Sequence, residues 1–327
     1  MKAKPVAPPG QLHGDEPLVA LVLVNFNGLH HLRYSLPSLM ATSYPRLLPI
    51  IVDNGSTDGS AEHVSDLWPQ AVLIRASRNL GYSRGCNAGI GLALRRGAEY
   101  IAVVNNDIRV HPLWLRLAIE FANADPAIGV VGYPCWEGGD AAEWSGWVQS
   151  EPITCNELEA SQRRFVHGMA MVIRSELLRE IGLFDEGFFA YGEENDLQIR
   201  ARKAGYRVVE LNIPIWHLGE GTSGRTRLRA AFWQTRHNIR LLLKHAGLLE
   251  TVRRGMGHVR KRLLARSQGS PDPAERRLSY SNRLMRVGLL VAAVAWNLLV
   301  LPATLRRRWV DNRRCAQARC RREQQLR

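Results

Sequence analysis

The 327-residue chain is poor in cysteine and has no long apolar run near its start. Its five cysteines (Cys86, Cys135, Cys155, Cys315 and Cys320) are odd in number, widely spaced and free of any C-x-x-C pair. A disulfide framework does not fit that pattern, and reduced thiols in a cytosolic protein do. The opening "MKAKPVAPPGQLHGDEP" is rich in Pro and Gly, and the first apolar run after it, "LVALVLVNF", is nine residues long and strongly β-branched. A signal peptide is not expected from it, so the protein is expected to stay inside the cell.

Acidic residues are scarce in the last third. From Arg225 onward there are 25 Lys+Arg against 5 Asp+Glu, whereas the first 224 residues carry 19 against 25. The net charge of +14 is therefore a basic tail on a slightly acidic body. Such asymmetry points to a polyanionic partner for the tail, either nucleic acid or an anionic membrane face. The apolar fraction of 46% is that of an ordinary globular protein, and the length suits one large domain or two smaller ones.

In the first half, apolar runs alternate with helix-like stretches. "LVALVLVNF", "LLPIIVD", "AVLIR", "YIAVVN" and "AIGVVGY" are separated by segments such as "HHLRYSLPSLMA", "GSAEHVSDLW", "CNAGIGLALRRG" and "PLWLRLAIEFANA". Continuous apolarity marks strands buried on both faces, which predicts an α/β fold with a mostly parallel sheet between helices. In such sheets ligands sit beyond the carboxyl ends of the strands. Small polar residues collect there three times: "VNFNG" (24–28), "VDNGSTDGS" (52–60) and "VNND" (104–107). Each string alone also fits a plain turn, with Ser56 or Asp58 capping the next helix in "VDNGSTDGSAE". "RNLGYSRGCNAG" (78–89) is Gly-rich without the dinucleotide-binding spacing. Unrelated turns have no reason to share this chemistry at successive strand ends.

Together with "GLFDEGFFAYGEENDLQIRARKAGYRV", these strings resemble the motif series of glycosyltransferase family 2 enzymes of the GT-A fold, and in particular the bacterial rhamnosyltransferase-like branch. The resemblance runs from about Leu18 to about Gly247. It implies that "NND" stands where the family has D-x-D, with Asp107 as ligand to a Mg²⁺ or Mn²⁺ ion and Asn105 nearer the ribose. A divalent cation suits the site because a diphosphate leaving group gains negative charge as the glycosidic bond breaks. By the same carry-over Asp53 would accept the base N–H of uracil or thymine, Asn25 and Asn27 would line that pocket, and Arg78, Asn79 and Gly81 would lie against the nucleotide. His167 and Gly168, in "FVHGMAMVIRSELLREIGLFDE", would frame donor and acceptor sugars.

"GEENDL" places Glu193, Glu194 and Asp196 at a helix start, where acids also occur simply to complement the helix dipole. The resemblance to the family string "EDxDL" assigns the general base to Glu194, with Glu193 beside it and Asp196 anchoring the helix. His217 in "IWHLGEGTSGR" fits a position that can complete the metal site or touch the phosphates; a structural histidine is the other reading. No Q-x-x-R-W string of the processive synthases is present, so one sugar per acceptor is expected.

The expected organisation is a flexible N-terminus (1–17), a GT-A domain (18–247) and a basic helical tail (248–327). Within the tail, "VGLLVAAVAWNLLVLPATL" (287–305) is 19 mostly apolar residues between arginines, interrupted by Asn297 and Pro302. An interfacial helix on the inner face of the cell membrane is the favoured expectation, with a single span or a soluble packing helix as alternatives. Nucleic acid is not expected as a partner, because the basic residues flank an apolar helix and lack stacking aromatics in a groove pattern. The expected function is inverting, metal-dependent transfer of one sugar, rhamnose or another deoxysugar, from a dTDP- or UDP-sugar to a glycan or polyprenyl-linked acceptor. A catalytically silent nucleotide-sugar-binding protein, or a basic nucleic-acid binder, is the alternative.

Overall fold

A computed structural model describes residues 16–137, 144, 148, 159–218, 227–247, 250–251, 253–255 and 283–325. Most of the expected flexible N-terminus, Cys155 and much of the basic stretch after Thr251 lie outside the described residues.

The apolar runs of the first half are strands: β1 (Val19–Asn25), β2 (Leu47–Asp53), β3 (Val72–Arg75), β4 (Tyr100–Val104) and β6 (Ile128–Gly132), with the two-residue β5 (Ile108–Arg109) between the last two. The expected helices lie between them as α1 (Leu29–Met40), α2 (Ser60–Leu67), α3 (Tyr82–Arg95) and α4 (Trp114–Ala124). Later in the chain come β7 (Cys135–Glu137), β8 (Ala160–Gln162), β9 (Ala170–Arg174), β10 (Arg207–Leu211) and β11 (Ile215–His217). The accompanying helices are α5 (Ser175–Ile181), α6 (Glu193–Lys203), α7 (Arg227–His245), α8 (Arg283–Leu299) and α9 (Leu301–Gln325).

Eight strands form one sheet in the order β3-β2-β1-β4-β9-β6-β10-β8. β1 pairs in parallel with β2 and β4, and β9 runs antiparallel to both of its neighbours. Every residue of β1 is buried because the strand has helices on both sides. Val19, Leu21 and Leu23 pack into one core with α1 and α4; Ala20, Val22 and Val24 pack into the other with α3, α5 and α6. A small second sheet has the order β5-β11-β7, and its β5 follows closely after β4 of the main sheet.

The apolar tail segment expected as one helix over 287–305 is instead two, α8 and α9, bent by 63°. Pro302 explains the break: it lacks the N–H for a bond to Leu298 and its ring collides with that carbonyl, yet it is tolerated in the first turn of a new helix. α9 packs into the body of the protein. Its Cys315 and Ala318 share a core with Ile181, Leu197 and Ala201. Arg308 donates to the carbonyls of Leu243 and Ala246 at the end of α7, 2.9 Å each.

A buried ion cluster joins α9 to the acidic helix α6. Lys244 Nζ lies 2.8 Å from Asp185 Oδ2, 2.5 Å from Asp196 Oδ1 and 2.8 Å from Asp311 Oδ2. Arg200 Nε is 2.8 Å from Asp196 Oδ2, and Arg240 Nη2 is 3.0 Å from Asp185 Oδ2. Three carboxylates thus face three cations. Burial alone would push the Asp196 carboxyl up, but the charges of Arg200 and Lys244 and the His245 hydrogen bond hold it well below the usual range. Removing one partner of such a group leaves an uncompensated buried charge, which costs about 3–5 kcal/mol. Asp311→Ala is therefore expected to lower unfolding stability by about that amount in urea titration; a change within the error of the extrapolation would show that α9 is not held by this contact.

Candidate active site

The site is built at the carboxyl ends of β2, β1 and β4, and parallel register explains why. Asn25 at the end of β1 is the partner of Asp53 at the end of β2, and Leu23 pairs with Val104, so Asn105 follows on the same rim. Asn25 is buried; its Nδ2 donates to Ser56 Oγ at 3.3 Å and its Oδ1 accepts from Asn106 Nδ2 at 2.7 Å. Asp53 Oδ2 accepts from the Ser56 N–H at 3.2 Å, while its buried Oδ1 has no protein donor. Asn27, at φ 48°, accepts the Thr57 N–H at 2.8 Å and is exposed. The plain-turn reading of "VDNGSTDGS" is partly realised as well. Asp58 accepts the N–H groups of Leu29 at 2.9 Å and Ser60 at 3.1 Å, fixing the starts of two helices.

Pairing of β11 with β5 sets His217 opposite Ile108, next to Asp107, from more than a hundred residues away. His217 Nε2 lies 3.3 Å from the buried Asp107 Oδ1, an oxygen with no aligned hydrogen bond. Burial alone would lower the His217 pKa; the Asp107 carboxylate and the Cys135 thiol overcome it and raise it to about 10. Burial opposes ionisation of Asp107, and the imidazole beside it outweighs that and lowers its pKa. The anionic Asp107 oxygen fits Mg²⁺ or Mn²⁺, and His217 Nε2 would join it once the ring gives up the proton it directs at Asp107, with phosphate oxygens completing the shell. No group of three or more His, Cys, Asp or Glu that could hold a metal alone occurs among the described residues.

The Gly-rich segment lies beside this rim. Asn79 Oδ1 accepts the Gly81 N–H at 2.8 Å, Asn54 Nδ2 donates to the Gly81 carbonyl at 3.1 Å, and Arg78 projects into solvent. A Cβ on Gly81 would meet the Phe189 ring at 2.7 Å, so the close approach this glycine permits is to Phe189. Tyr82 closes the link to the "NND" string, its hydroxyl donating to Asn105 Oδ1 at 3.1 Å.

The three acids of "EENDL" have separate fates. Asp196 turns into the ion cluster. Glu193 is buried beside Tyr82 and Cys86, and its Oε2 has no donor; burial and then the neighbouring Glu194 charge raise its pKa well above 4.5. Glu194 is half-buried with Oε2 accepting the Gly192 N–H at 2.9 Å and Oε1 accepting Asn195 Nδ2 at 3.0 Å. It packs on Gly168, where a Cβ would come within 2.9 Å of its Cγ. His167, one residue earlier, is exposed.

The described family "Glycosyl transferase family 2" matches residues 20–182. The chain belongs to glycosyltransferase family 2. It is 26% identical over 220 residues to the N-acetylglucosaminyl-diphospho-decaprenol L-rhamnosyltransferase of Mycobacterium tuberculosis, an alignment covering 58% of this chain and 72% of that protein. Among solved structures, a mannosyltransferase from Pyrobaculum calidifontis, in complex with GDP-Man and Mn²⁺, superposes with a TM-score of 0.53 at 16% identity, covering 96% of this chain and 89% of that one. GalNAc-T7 with UDP, GalNAc and Mn²⁺ gives 0.57 at 14%, covering 88% of this chain and 58% of that one. The fold of this family 2 glycosyltransferase is of the GT-A type.

Asn106, Asn54 and Tyr82 are not singled out by the sequence, and Ser56, offered there only as a helix cap, instead bonds Asn25, Asn27 and Asp53. Asn106 and Ser56 lie within quoted motifs but matter through contacts with Asn25; Tyr82 carries no polar pattern of its own.

The Glu193 carboxyl generates a pH dependence. Its folded pKa lies above the unfolded 4.5, so the folded state binds the extra proton and stability falls as pH rises from 4.5 through the folded value. Glu193→Gln removes that loss. The variant is expected to gain thermal midpoint relative to the parent at neutral pH, with the gap closing below pH 4.5; a gap independent of pH would place Glu193 outside this environment.

Proposed function

We propose that this glycosyltransferase moves one sugar, rhamnose or a related deoxysugar, from a dTDP- or UDP-sugar to a glycan or lipid-diphosphate-linked acceptor with inversion. The observation that carries the proposal is a pair of buried carboxylates on one rim bridged by the Asn25–Asn106 hydrogen bond: Asp53, whose Oδ1 has no protein donor, and Asp107, whose Oδ1 has only the His217 ring nitrogen beside it. The first suits a base N–H of uracil or thymine. Asp107 and His217 would hold the divalent cation, which supplies neutralisation of the leaving diphosphate. The lipid-linked acceptor class is supported by the mycobacterial relative, an L-rhamnosyltransferase of N-acetylglucosaminyl-diphospho-decaprenol.

Glu194 is the base in this scheme. Burial raises its pKa, which brings its basicity nearer neutral pH, and the Gly192 N–H and Asn195 amide hold its carboxylate in place. As the acceptor oxygen bonds to the anomeric carbon, its proton passes to Glu194 and the carbon–oxygen bond to the diphosphate breaks, the electron pair leaving with the diphosphate. Attack opposite the leaving group inverts the centre. Glu193, its carboxyl buried against Tyr82 and holding its proton more tightly than an ordinary carboxyl, shapes the wall.

Calorimetric donor titration with Mn²⁺, paired with a transfer assay, separates these roles. Glu194→Gln is expected to bind donor as the parent does and to lose about 10²-fold or more in transfer. Asp107→Ala is expected to lose the Mn²⁺-dependent part of donor binding. Full transfer by Glu194→Gln with a dead Glu193→Gln would move the base by one residue; donor binding without transfer by the parent on any acceptor would favour a silent binding protein.

A further inference from the structure

Helix α8 is inside out. Its buried stripe holds Ala293 and the polar Asn297, whose Nδ2 donates to the Arg236 carbonyl of α7 at 3.0 Å and to the Ala293 carbonyl at 2.8 Å. Its outward face is apolar: Leu284 is 82% exposed, Val291 61%, Leu298 64% and Leu299 77%. Among the described residues, ten of the fifteen large apolar side chains that face outward lie between Leu284 and Trp309. No charged residue occurs from Val287 to Leu305. A contiguous apolar patch of this kind marks an interaction surface.

We propose that this face of α8, with the elbow to α9, lies in the boundary between headgroups and acyl chains of an anionic lipid bilayer. Charge identifies the partner: residues 283–325 carry ten arginines against two acids, and Arg286 and Arg306 bracket the apolar stretch. Beyond the elbow, Leu305, Trp309 and Arg313 follow at four-residue intervals on one exposed stripe of α9, with the Arg313 guanidinium 5.5 Å from the Trp309 ring centroid. At the other side of the elbow Arg236 stands 4.7 Å over the Trp296 ring. Apolar groups, tryptophans and arginines in that succession match the depth profile of a lipid interface.

The helix lies along the surface. α8 has 17 residues, about 26 Å at 1.5 Å each, and no single described helix is long and apolar enough to cross a membrane. A straight span through the pair would require opening its 63° elbow. That would pull Asp311 from Lys244 and Cys315 and Ala318 from the core.

The proposal is independent of the reaction and is tested on the full chain by flotation with sealed vesicles of phosphatidylglycerol and phosphatidylcholine at low salt. The parent is expected to float with the mixed vesicles, less with pure phosphatidylcholine, and less at high salt. Leu298→Asp with Leu299→Asp, two outward positions, is expected to cut partitioning tenfold or more with an unchanged thermal midpoint and unchanged donor binding. Parent protein left at the bottom of the low-salt gradient would overturn the proposal, as would unaltered flotation of the double variant. A soluble dimer that the double variant dissociates would assign the face to a second copy, and attachment that survives alkaline extraction would assign the bent pair to a span; either outcome overturns it.

Discussion

The helix that carries Glu193 and Glu194 depends on a buried balance of charge. Lys244 touches one carboxylate from the loop before α6, one from α6 itself and one from α9. Each of these groups alone would resist burial, and together they have few other ways to be neutralised. The contact therefore fixes three elements at once: the aromatic loop of Phe188 and Phe189, the first turn of α6 with Glu193 and Glu194, and the last helix. Arg200 adds a further tie by donating to the carbonyls of Ile181, Gly182 and Leu183 at the end of α5.

On the opposite side of the site, order comes from sheet register. Parallel strands of matched length bring Asn25 and Asp53 to one level, and the Asn25–Asn106 bond joins that rim to the loop that carries Asp107. Tyr82 then connects Asn105 toward the acidic helix. Carboxylate oxygens without donors remain on both sides of this path, at Asp53 and Glu193, and Asp107 Oδ1 has only the His217 ring nitrogen beside it. In a protein interior such oxygens are costly without a partner, and the proposed base N–H would supply one to Asp53.

The first half of the fold was legible because its strands are buried on both faces and so read as unbroken apolar runs. The second half was less so: β9 enters the sheet antiparallel between β4 and β6, a pairing that local pattern does not encode. The site divides the same way. Motif residues at strand ends could be named from the sequence, and Asn25, Asp53 and Asn105 do meet on one rim. The proximity of His217 to Asp107 depends on a strand pairing across more than a hundred residues, and the separation of Glu193, buried, from Glu194, half-buried against Gly168, depends on how one helix turn faces the core. The tail was read as one apolar helix because hydropathy carries no angle; Pro302 gives the bend, and Asp311 and Cys315 give the docking.

In the proposed reaction this site performs a single displacement at an anomeric carbon with Glu194 taking the acceptor proton. Proton NMR of the product formed from a nucleotide sugar of known anomeric configuration tests it most directly. One added sugar per acceptor with inverted configuration is the predicted result; retained configuration at the new linkage would contradict the account.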